Sequence, residues 1–251
     1  MRIKYVIPSY KRPNCINTIK YVRKSAAFVS NDEIELYREN NPEVTFIPMP
    51  SDKQGHGKGV ALNWILDHAW DKDTDAVVVL DNDIEYLNIW RMDGNHIKVD
   101  EQGFYEIIEN MVLLAKEFGC GMFGFSPTED RLRHNPAEPF HLHKIAGGGV
   151  LGFVQNDGIR FDEQFLVNED IDIQLQSLKR YHKLLMVDRY FLKIGQWTNS
   201  GGCQEIRTEG KDTDKKYREI LANKWGHNVI TINKKQRESV GFTLKLPLKG
   251  T

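Results

Sequence analysis

Two carboxylates one residue apart, Asp81 and Asp83, follow a short β-branched apolar run at residues 76–80. The run is too short for an independent helix, so it predicts a buried strand that ends in this acidic pair. Carboxylates at the carboxyl end of a strand can present several hard oxygens to a crevice, and such oxygens suit Mg2+ or Mn2+ shared with phosphate groups. A turn held by side-chain-to-backbone hydrogen bonds explains the same tripeptide equally well, so the pattern alone leaves both interpretations open.

A second group of residues combines glycines with acidic side chains. Three consecutive glycines, Gly147, Gly148 and Gly149, precede an apolar strand, where a side chain would obstruct tight packing or a ligand that touches the backbone. Glu169 and Asp170 then open an amphipathic helix, whose dipole stabilises negative charge. A carboxylate at this position either caps the helix or serves as a general base for an acceptor beside the glycines.

Two loops have the composition of anion-binding turns. The first follows the apolar strand at residues 3–7 and offers Tyr10 to stack on a base and Arg12 to meet a diphosphate, although its two prolines explain a plain strand end as well. The second, at residues 54–59, is glycine-rich and precedes a helix whose N-terminus, with Lys58, can contact phosphate. Its spacing differs from that of a Walker A loop.

Residues 131–144 form a long polar loop rich in basic and histidine side chains. Long loops inside compact domains are often functional, so we expect an acceptor-binding lid with Arg131 and Arg133 as contacts. The histidines do not have the spacing of a zinc finger, and we do not expect structural zinc.

The patterns that position these residues alternate between strand and helix and predict an α/β fold. Residues 84–102 appear irregular. Helices are predicted at residues 14–24, 32–39, 59–69, 104–118, 168–178 and 213–225, and strands at residues 3–7, 44–48, 76–80, 121–125, 150–153, 184–191 and 229–232.

The composition is that of an ordinary globular protein of 251 residues, long enough for one large α/β domain. No apolar run approaches the length of a membrane span, and a strand pattern begins directly after Arg2 where a signal peptide would stand. Three scattered cysteines do not form a disulfide framework. We therefore expect a cytoplasmic protein with no membrane partner.

Charge is distributed unevenly along the chain. Residues 207–251 carry 11 Lys and Arg against 5 Asp and Glu, whereas the rest carries 23 against 30. A basic end on an acidic body is compatible with binding to nucleic-acid phosphates, and Lys215, Lys216 and Lys224 are the expected contacts. A solvated helical surface explains the same charges.

In their order along the chain, these pieces resemble a GT-A-fold glycosyltransferase over residues 1 to about 200. The segments that carry the resemblance are residues 6–12, the helix after Gly59, Asp81-Asn82-Asp83, the glycine strand and Asn168-Glu169-Asp170. More narrowly, the chain is similar to phage glycosyltransferases associated with TET/JBP-type dioxygenases, through its length, its three glycines and Lys224-Trp225-Gly226. The resemblance implies a GT-A-like, Rossmann-like mixed sheet flanked by helices, in a single domain at residues 1–206 with a basic extension at 207–251.

The resemblance also implies a role for each matching residue. Asp81 and Asp83 would hold Mn2+ or Mg2+ on the diphosphate of a nucleotide-sugar donor, expected to be a UDP-sugar. Asp170, with Glu169 beside it, would deprotonate the acceptor hydroxyl in an inverting transfer. The donor-binding loops would comprise Pro8, Ser9, Tyr10, Arg12, Lys58, Asn63 and Asp81.

The implied acceptor is a 5-hydroxymethylpyrimidine in DNA, which must be flipped out of a duplex or presented in a single strand. Arg131, Arg133 and the three glycines are the expected acceptor contacts, and the enzyme would act in the host cytoplasm if a phage encodes it. Three alternatives stay open at this stage: a glycan, lipid-linked or protein acceptor; a nucleotidyltransferase; and a binding module whose acidic residues are structural. The family's metal-binding histidine has no certain counterpart, because His227 is the only histidine after His182.

Overall fold

The computed structural model describes residues 1–127, 129–131, 134–195, 213–232 and 242–246. Its strands are β1 Ile3–Pro8, β2 Ser25–Ser30, β3 Phe46–Met49, β4 Ala76–Leu80, β5 Ile84–Trp90, β6 His96–Val99, β7 Met122–Phe125, β8 Phe140–His141, β9 Val150–Phe153, β10 Leu185–Val187, β11 Tyr190–Ile194, β12 Ile230–Ile232 and β13 Phe242–Leu244. Its helices are α1 Asn17–Tyr21, α2 Ile34–Asn40, α3 Lys58–Ala69, α4 Glu101–Glu117, α5 Glu169–Tyr181 and α6 Thr213–Trp225, with a 3-10 turn at Ser51–Lys53.

An eight-stranded sheet in the order β3-β2-β1-β4-β9-β7-β10-β8 organises the fold. Strands β3, β2, β1 and β4 are parallel, β9 is antiparallel to both of its neighbours, and β10 is again parallel to β7. All five residues of β4 are buried, which explains its continuous apolar sequence. The predicted mixed sheet flanked by helices is confirmed.

The strand order places a crevice at the carboxyl ends of β1 and β4. The chain leaves β1 toward β2 and β3 on one side, and β4 lies on the other side with Val79 opposite Val6. Open α/β sheets bind ligands at such a switch point. The loop after β1 and the acidic pair after β4 therefore meet at one edge of the sheet.

Two apolar cores cover the two faces of the sheet. One contains α1, α2 and α4, and the other contains α3, α5 and α6. In the second core Tyr217, Leu221 and Ala222 of α6 are buried with Phe165. The C-terminal helix thus packs on the same body as α3 and α5, while the predicted division at residue 206 stays a prediction.

Several predicted elements differ from the structure. Residues 84–102 are not irregular, because β5 and β6 form a hairpin that pairs with β11 in a separate three-stranded antiparallel sheet. The single strand predicted at 184–191 is two strands in different sheets, divided by a turn at Asp188 and Arg189. The helix predicted at 14–24 is shorter because β2 begins at Ser25.

No helix in the described ranges is both long and apolar enough to cross a membrane.

Candidate active site

Asp81 and Asp83 lie at the switch point, and each is paired with a different cation. Lys58 Nζ lies 2.5 Å from Asp81 Oδ1, and Arg12 Nη1 lies 3.4 Å from Asp83 Oδ2. Asp83 is buried, and burial, followed by the negative charge of Asp81, raises its pKa. Lys58 and Arg12, both predicted to contact the nucleotide-sugar donor, therefore pair with the two predicted metal ligands.

The backbone of this acidic turn is held by a threonine on α1. Thr18 Oγ1 donates to the carbonyl of Asp81 at 2.5 Å and accepts from the N–H of Ile84 at 2.9 Å. The N–H of Thr18 donates to the carbonyl of Asn82 at 3.3 Å. Sequence reasoning missed Thr18, because a buried hydroxyl inside a short helix carries no signal of its contact with a turn more than 60 residues away.

Asn82, between the two aspartates, joins the acidic turn to the loop after β1. Its buried side chain donates to Ser9 Oγ at 3.0 Å and accepts from Arg12 at 3.1 Å. Ser9 Oγ also lies 2.9 Å from the hydroxyl of Tyr37. The structure thus assigns the Ser9 hydroxyl to an internal network, which differs from the predicted donor contact.

The glycine-rich loop before α3 packs on the loop after β1 and on a segment that precedes α5. A Cβ on Gly55 would lie 3.3 Å from the hydroxyl of Tyr10, so the two predicted donor loops meet. A Cβ on Gly57, whose φ is +100°, would lie 2.9 Å from Leu166. Lys58 begins α3 at this contact.

Asn63, which was predicted to contact the nucleotide-sugar donor, makes hydrogen bonds within the fold. Its amide exchanges two 2.9 Å hydrogen bonds with the backbone of Phe161, and its remaining donor lies 3.1 Å from Glu163. Asn63 therefore ties α3 to residues 161–168, the segment that leads into α5.

The glycine strand and the start of α5 are joined by a buried glutamine. Gln174 accepts from the N–H of Ala146 at 2.6 Å and donates to its carbonyl at 3.1 Å and to that of Asp170 at 2.9 Å. A Cβ on Gly148 would lie 2.5 Å from Asp170 Oδ2, and a Cβ on Gly149 would lie 3.9 Å from Asp81 Oδ2. The glycines therefore adjoin both predicted functional carboxylates.

Glu169 is the buried member of the pair at the start of α5. Burial, and then the negative charge of Asp170, raises the pKa of Glu169 to about 7, although Lys58 opposes the shift. The residue before it, Asn168, is left-handed with φ +67°. An acid of this pKa can exchange a proton near neutral pH.

An open cavity of about 290 Å3 lies over the glycines. Its other lining residues are Phe125, Ser126, Pro127, Glu129, Leu192, Lys193 and Ile194. The surface of the cavity is mostly polar, with Ser126, Glu129 and Lys193 beside apolar side chains.

Among the described residues of the predicted acceptor lid, 131 and 134–144, none lines this cavity. The guanidinium of Arg131 packs on Gly94 of the β5–β6 hairpin, and Arg133 lies outside the described residues. His134 and His141 lie 3.3 and 3.1 Å from the carboxylate of Asp188 and anchor the loop.

The oxygen ligands of the acidic turn suit a divalent cation, because two carboxylates with hard oxygens lie close together there. The positive charges of Lys58 and Arg12 beside them suit a diphosphate. Among the described residues, no group of three or more His, Cys, Asp or Glu side chains has the arrangement of a metal site.

Sequence similarity assigns the class of protein to which this site belongs: the chain is a glycosyltransferase. A family described as TET-associated glycosyltransferase matches residues 3–202, and the chain belongs to that family. No curated protein sequence matches it.

Solved structures with similar architecture include three enzymes. TarS 1–349 from S. aureus is 12% identical to this chain, with a TM-score of 0.45. The match covers 89% of this chain and 66% of the TarS chain, so this chain spans just under two thirds of the length of TarS 1–349. Glucosyl-3-phosphoglycerate synthase from Mycobacterium tuberculosis, in complex with Mn2+, UDP and glucosyl-3-phosphoglycerate, is 13% identical over 88% and 79%, with a TM-score of 0.48. The 4-diphosphocytidyl-2C-methyl-D-erythritol synthase from Anaerococcus prevotii is 10% identical over 74% and 86%, with a TM-score of 0.42.

Proposed function

We propose that the protein transfers a sugar from a nucleotide-sugar donor, a UDP-sugar, to the hydroxyl of a 5-hydroxymethylpyrimidine in DNA. The observation that carries the proposal is the convergence of Asp81 and Asp170 on the two glycines at the floor of the cavity. One carboxylate serves the donor diphosphate and the other serves the acceptor hydroxyl. The DNA acceptor is supported by the family's association with TET-type dioxygenases.

The donor binds across the carboxyl ends of β1 and β4. Tyr10 stacks on the base, while Lys58 and Arg12 face the diphosphate, since both already lie on the acidic turn. Asp81 and Asp83 would hold Mn2+ or Mg2+, and the metal would supply positive charge to stabilise the departing nucleoside diphosphate.

The acceptor enters the cavity over the glycines with its hydroxymethyl oxygen toward Asp170. Asp170 takes the hydroxyl proton as the oxygen forms its bond to the anomeric carbon and the bond from that carbon to the diphosphate breaks. The attack comes from the side opposite the leaving group, so the anomeric configuration inverts. The glycines allow this approach because a Cβ on Gly148 would occupy the space beside the base.

Mass spectrometry of nucleosides tests the proposal. Hydroxymethylated and unmodified DNA are incubated with the protein, Mn2+ and a panel of UDP-sugars, and the nucleosides are then released and weighed. We expect a hexose- or aminosugar-sized gain on the hydroxymethylated nucleoside alone. Metal-dependent hydrolysis of a UDP-sugar without any gain on DNA would reject the DNA acceptor and keep the glycosyltransferase.

Asp170→Asn and Asp67→Asn form a matched pair for this assay. Asp67 is a surface residue of α3 whose carboxylate pairs with Arg160 at 2.9 Å. We expect Asp170→Asn to reduce the nucleoside gain by at least about a hundredfold, the lower end of the range for a lost general base, and Asp67→Asn to leave it unchanged.

A further inference from the structure

The C-terminal helix α6 lies outside the residues that match the family, yet it makes polar contacts with the first turn of α5. Asp172, two residues after Asp170, has no exposed surface. Lys224 Nζ lies 2.8 Å from Asp172 Oδ1, and the indole N–H of Trp225 donates to the same oxygen at 2.8 Å. Gln176 donates to the other carboxylate oxygen at 2.7 Å. Three donors from two helices thus satisfy one buried carboxylate.

The same lysine reaches the segment that supports the donor loop. Lys224 Nζ lies 2.6 Å from Asp162 Oδ2 and 5.4 Å from the ring centroid of Phe165. Gly59, next to Lys58, packs closely on Phe161, since a Cβ on Gly59 would lie 3.3 Å from the Cβ of Phe161. One ammonium group therefore joins α6 both to the start of α5 and to the segment beneath the start of α3.

The contacts of Lys224 and Trp225 with Asp172 fix the orientation of its carboxylate. A buried carboxylate must be fully hydrogen-bonded, so the orientation of Asp172 is determined by Lys224 and Trp225. Asp172 is on the same helical turn as Asp170, and a displacement of one is transmitted to the other through the helix backbone. The burial of Tyr217 and Leu221 keeps α6 in place.

We propose that Lys224 and Trp225 are positioning residues for sugar transfer, which act through Asp172 to hold the general base Asp170 against the acceptor. This inference rests on the proposed role of Asp170, and it replaces our sequence-based assignment of Lys224 to DNA phosphates. A misplacement of about 1 Å at the reacting groups can reduce turnover about a hundredfold. The C-terminal helix is then part of the catalytic machinery and does not only extend the domain.

Three variants and a control test the proposal. Trp225→Phe keeps an aromatic side chain, although a smaller one, and removes the indole N–H. Lys224→Met removes the charge and keeps the aliphatic stem, and Lys224→Arg restores a cation. Glu219→Gln removes one charge from an exposed position on the same helix. Donor hydrolysis, transfer to hydroxymethylated DNA, and hydrogen exchange at the amides of residues 169–173 are measured for each variant.

We expect Trp225→Phe and Lys224→Met to lower kcat about tenfold to a hundredfold, while the KM for the nucleotide sugar stays within about twofold. The amides at the start of α5 should exchange faster in both variants, with those of β4 unchanged. Lys224→Arg should recover most of the turnover, and Glu219→Gln should match the wild type.

Unchanged kcat together with unchanged exchange at the start of α5 in both variants would overturn the proposal. So would a loss of activity that only follows the fraction of unfolded protein, with no rescue by Lys224→Arg. A wild-type enzyme that hydrolyses the donor but leaves DNA unmodified would reject the proposed acceptor, and the positioning role would then be decided on hydrolysis. If the wild type shows neither reaction, hydrogen exchange decides it alone.

Discussion

The two carboxylate pairs of the site differ in the charges around them. In the pair after β4, Asp81 lies against Lys58 and Asp83 against Arg12. In the pair that opens α5, Glu169 is buried beside Asp170, and its pKa rises to about 7. The first arrangement suits cations and phosphates, while the second suits exchange of a proton. In the proposed function, the same side-chain chemistry serves donor and acceptor because the surroundings of the two pairs differ.

The largest expected effect comes from neutralising Asp81, in the carboxylate pair after β4. Asp81→Asn should lower metal-dependent turnover at least about a hundredfold, because it removes a carboxylate proposed to hold the metal on the donor diphosphate. Thermal unfolding should shift little, since Asp81 is partly exposed and its ion pair with Lys58 stabilises the fold only modestly.

Asp75→Asn is the matched control for this prediction. Asp75 precedes the same strand that Asp81 follows, and its carboxylate lies 2.6 Å from Lys116. Turnover should be unchanged in Asp75→Asn. An equal loss in both variants would mean that the acidic turn only stabilises the strand.

The second-largest effect is expected at Gly148, the glycine that lies against Asp170. In Gly148→Ala the new Cβ would meet Asp170 Oδ2 at 2.5 Å, so the carboxylate must move. We expect a loss of transfer of about tenfold or more with donor binding retained. Titration calorimetry with the nucleotide and Mn2+ measures binding, and a transfer assay measures turnover.

Gly103→Ala supplies a steric control away from the site. Gly103 lies in α4, and a Cβ on it would meet the side chain of Val99 in β6 at 2.9 Å, a contact of similar severity. If Gly103→Ala impaired transfer as much as Gly148→Ala, the loss would reflect general disruption of the fold.

A smaller effect should appear in the pH dependence of stability. The folded pKa of Glu169 is raised from 4.5 to about 7, mainly by burial, so its stabilising contribution is complete below pH 4.5 and is lost as pH rises through 7. Between pH 5.5 and pH 8 the wild type should lose about 2 kcal/mol of unfolding free energy from this group.

Glu169→Gln should lack this part of the pH dependence. Urea unfolding of both proteins at pH 5.5 and pH 8 measures it, and the variant should gain stability relative to the wild type at the higher pH. Parallel pH curves for the two proteins would show that Glu169 ionises normally in the fold.

The smallest effect concerns the backbone before α5. Asn168 has φ +67°, a conformation that glycine adopts freely and alanine does not. Asn168→Ala should lower stability by about 1 kcal/mol, and Asn168→Gly should change it by less. Chemical denaturation of the two variants distinguishes them, and equal stabilities would show that the backbone relaxes there.

The sequence indicated the central elements because their signals are local. The buried strand that ends at Asp81, the helix after Lys58 and the acidic start of α5 each follow from a short apolar pattern with polar flanks. The β5–β6 hairpin was missed, although its Asp93-Gly94 turn carried a hairpin signal.

The contacts between distant segments could not be predicted. Thr18 below the acidic turn, Asn82 between two loops and Gln174 under the glycines are defined by hydrogen bonds across the fold, which leave no periodic pattern. Lys224 shows how misleading a charge count can be. In the sequence it belongs to a basic tail, whereas in the fold its ammonium group pairs with Asp162 and Asp172.

Binding of UDP with Mn2+ to Asp81→Asn and Asp170→Asn, measured by calorimetry alongside transfer, tests the division between donor and acceptor carboxylates most directly. We predict that Asp170→Asn binds UDP and Mn2+ as the wild type does while its transfer falls at least about a hundredfold. Asp81→Asn should lose both binding and transfer. Wild-type transfer in Asp170→Asn, or wild-type binding in Asp81→Asn, would contradict this division.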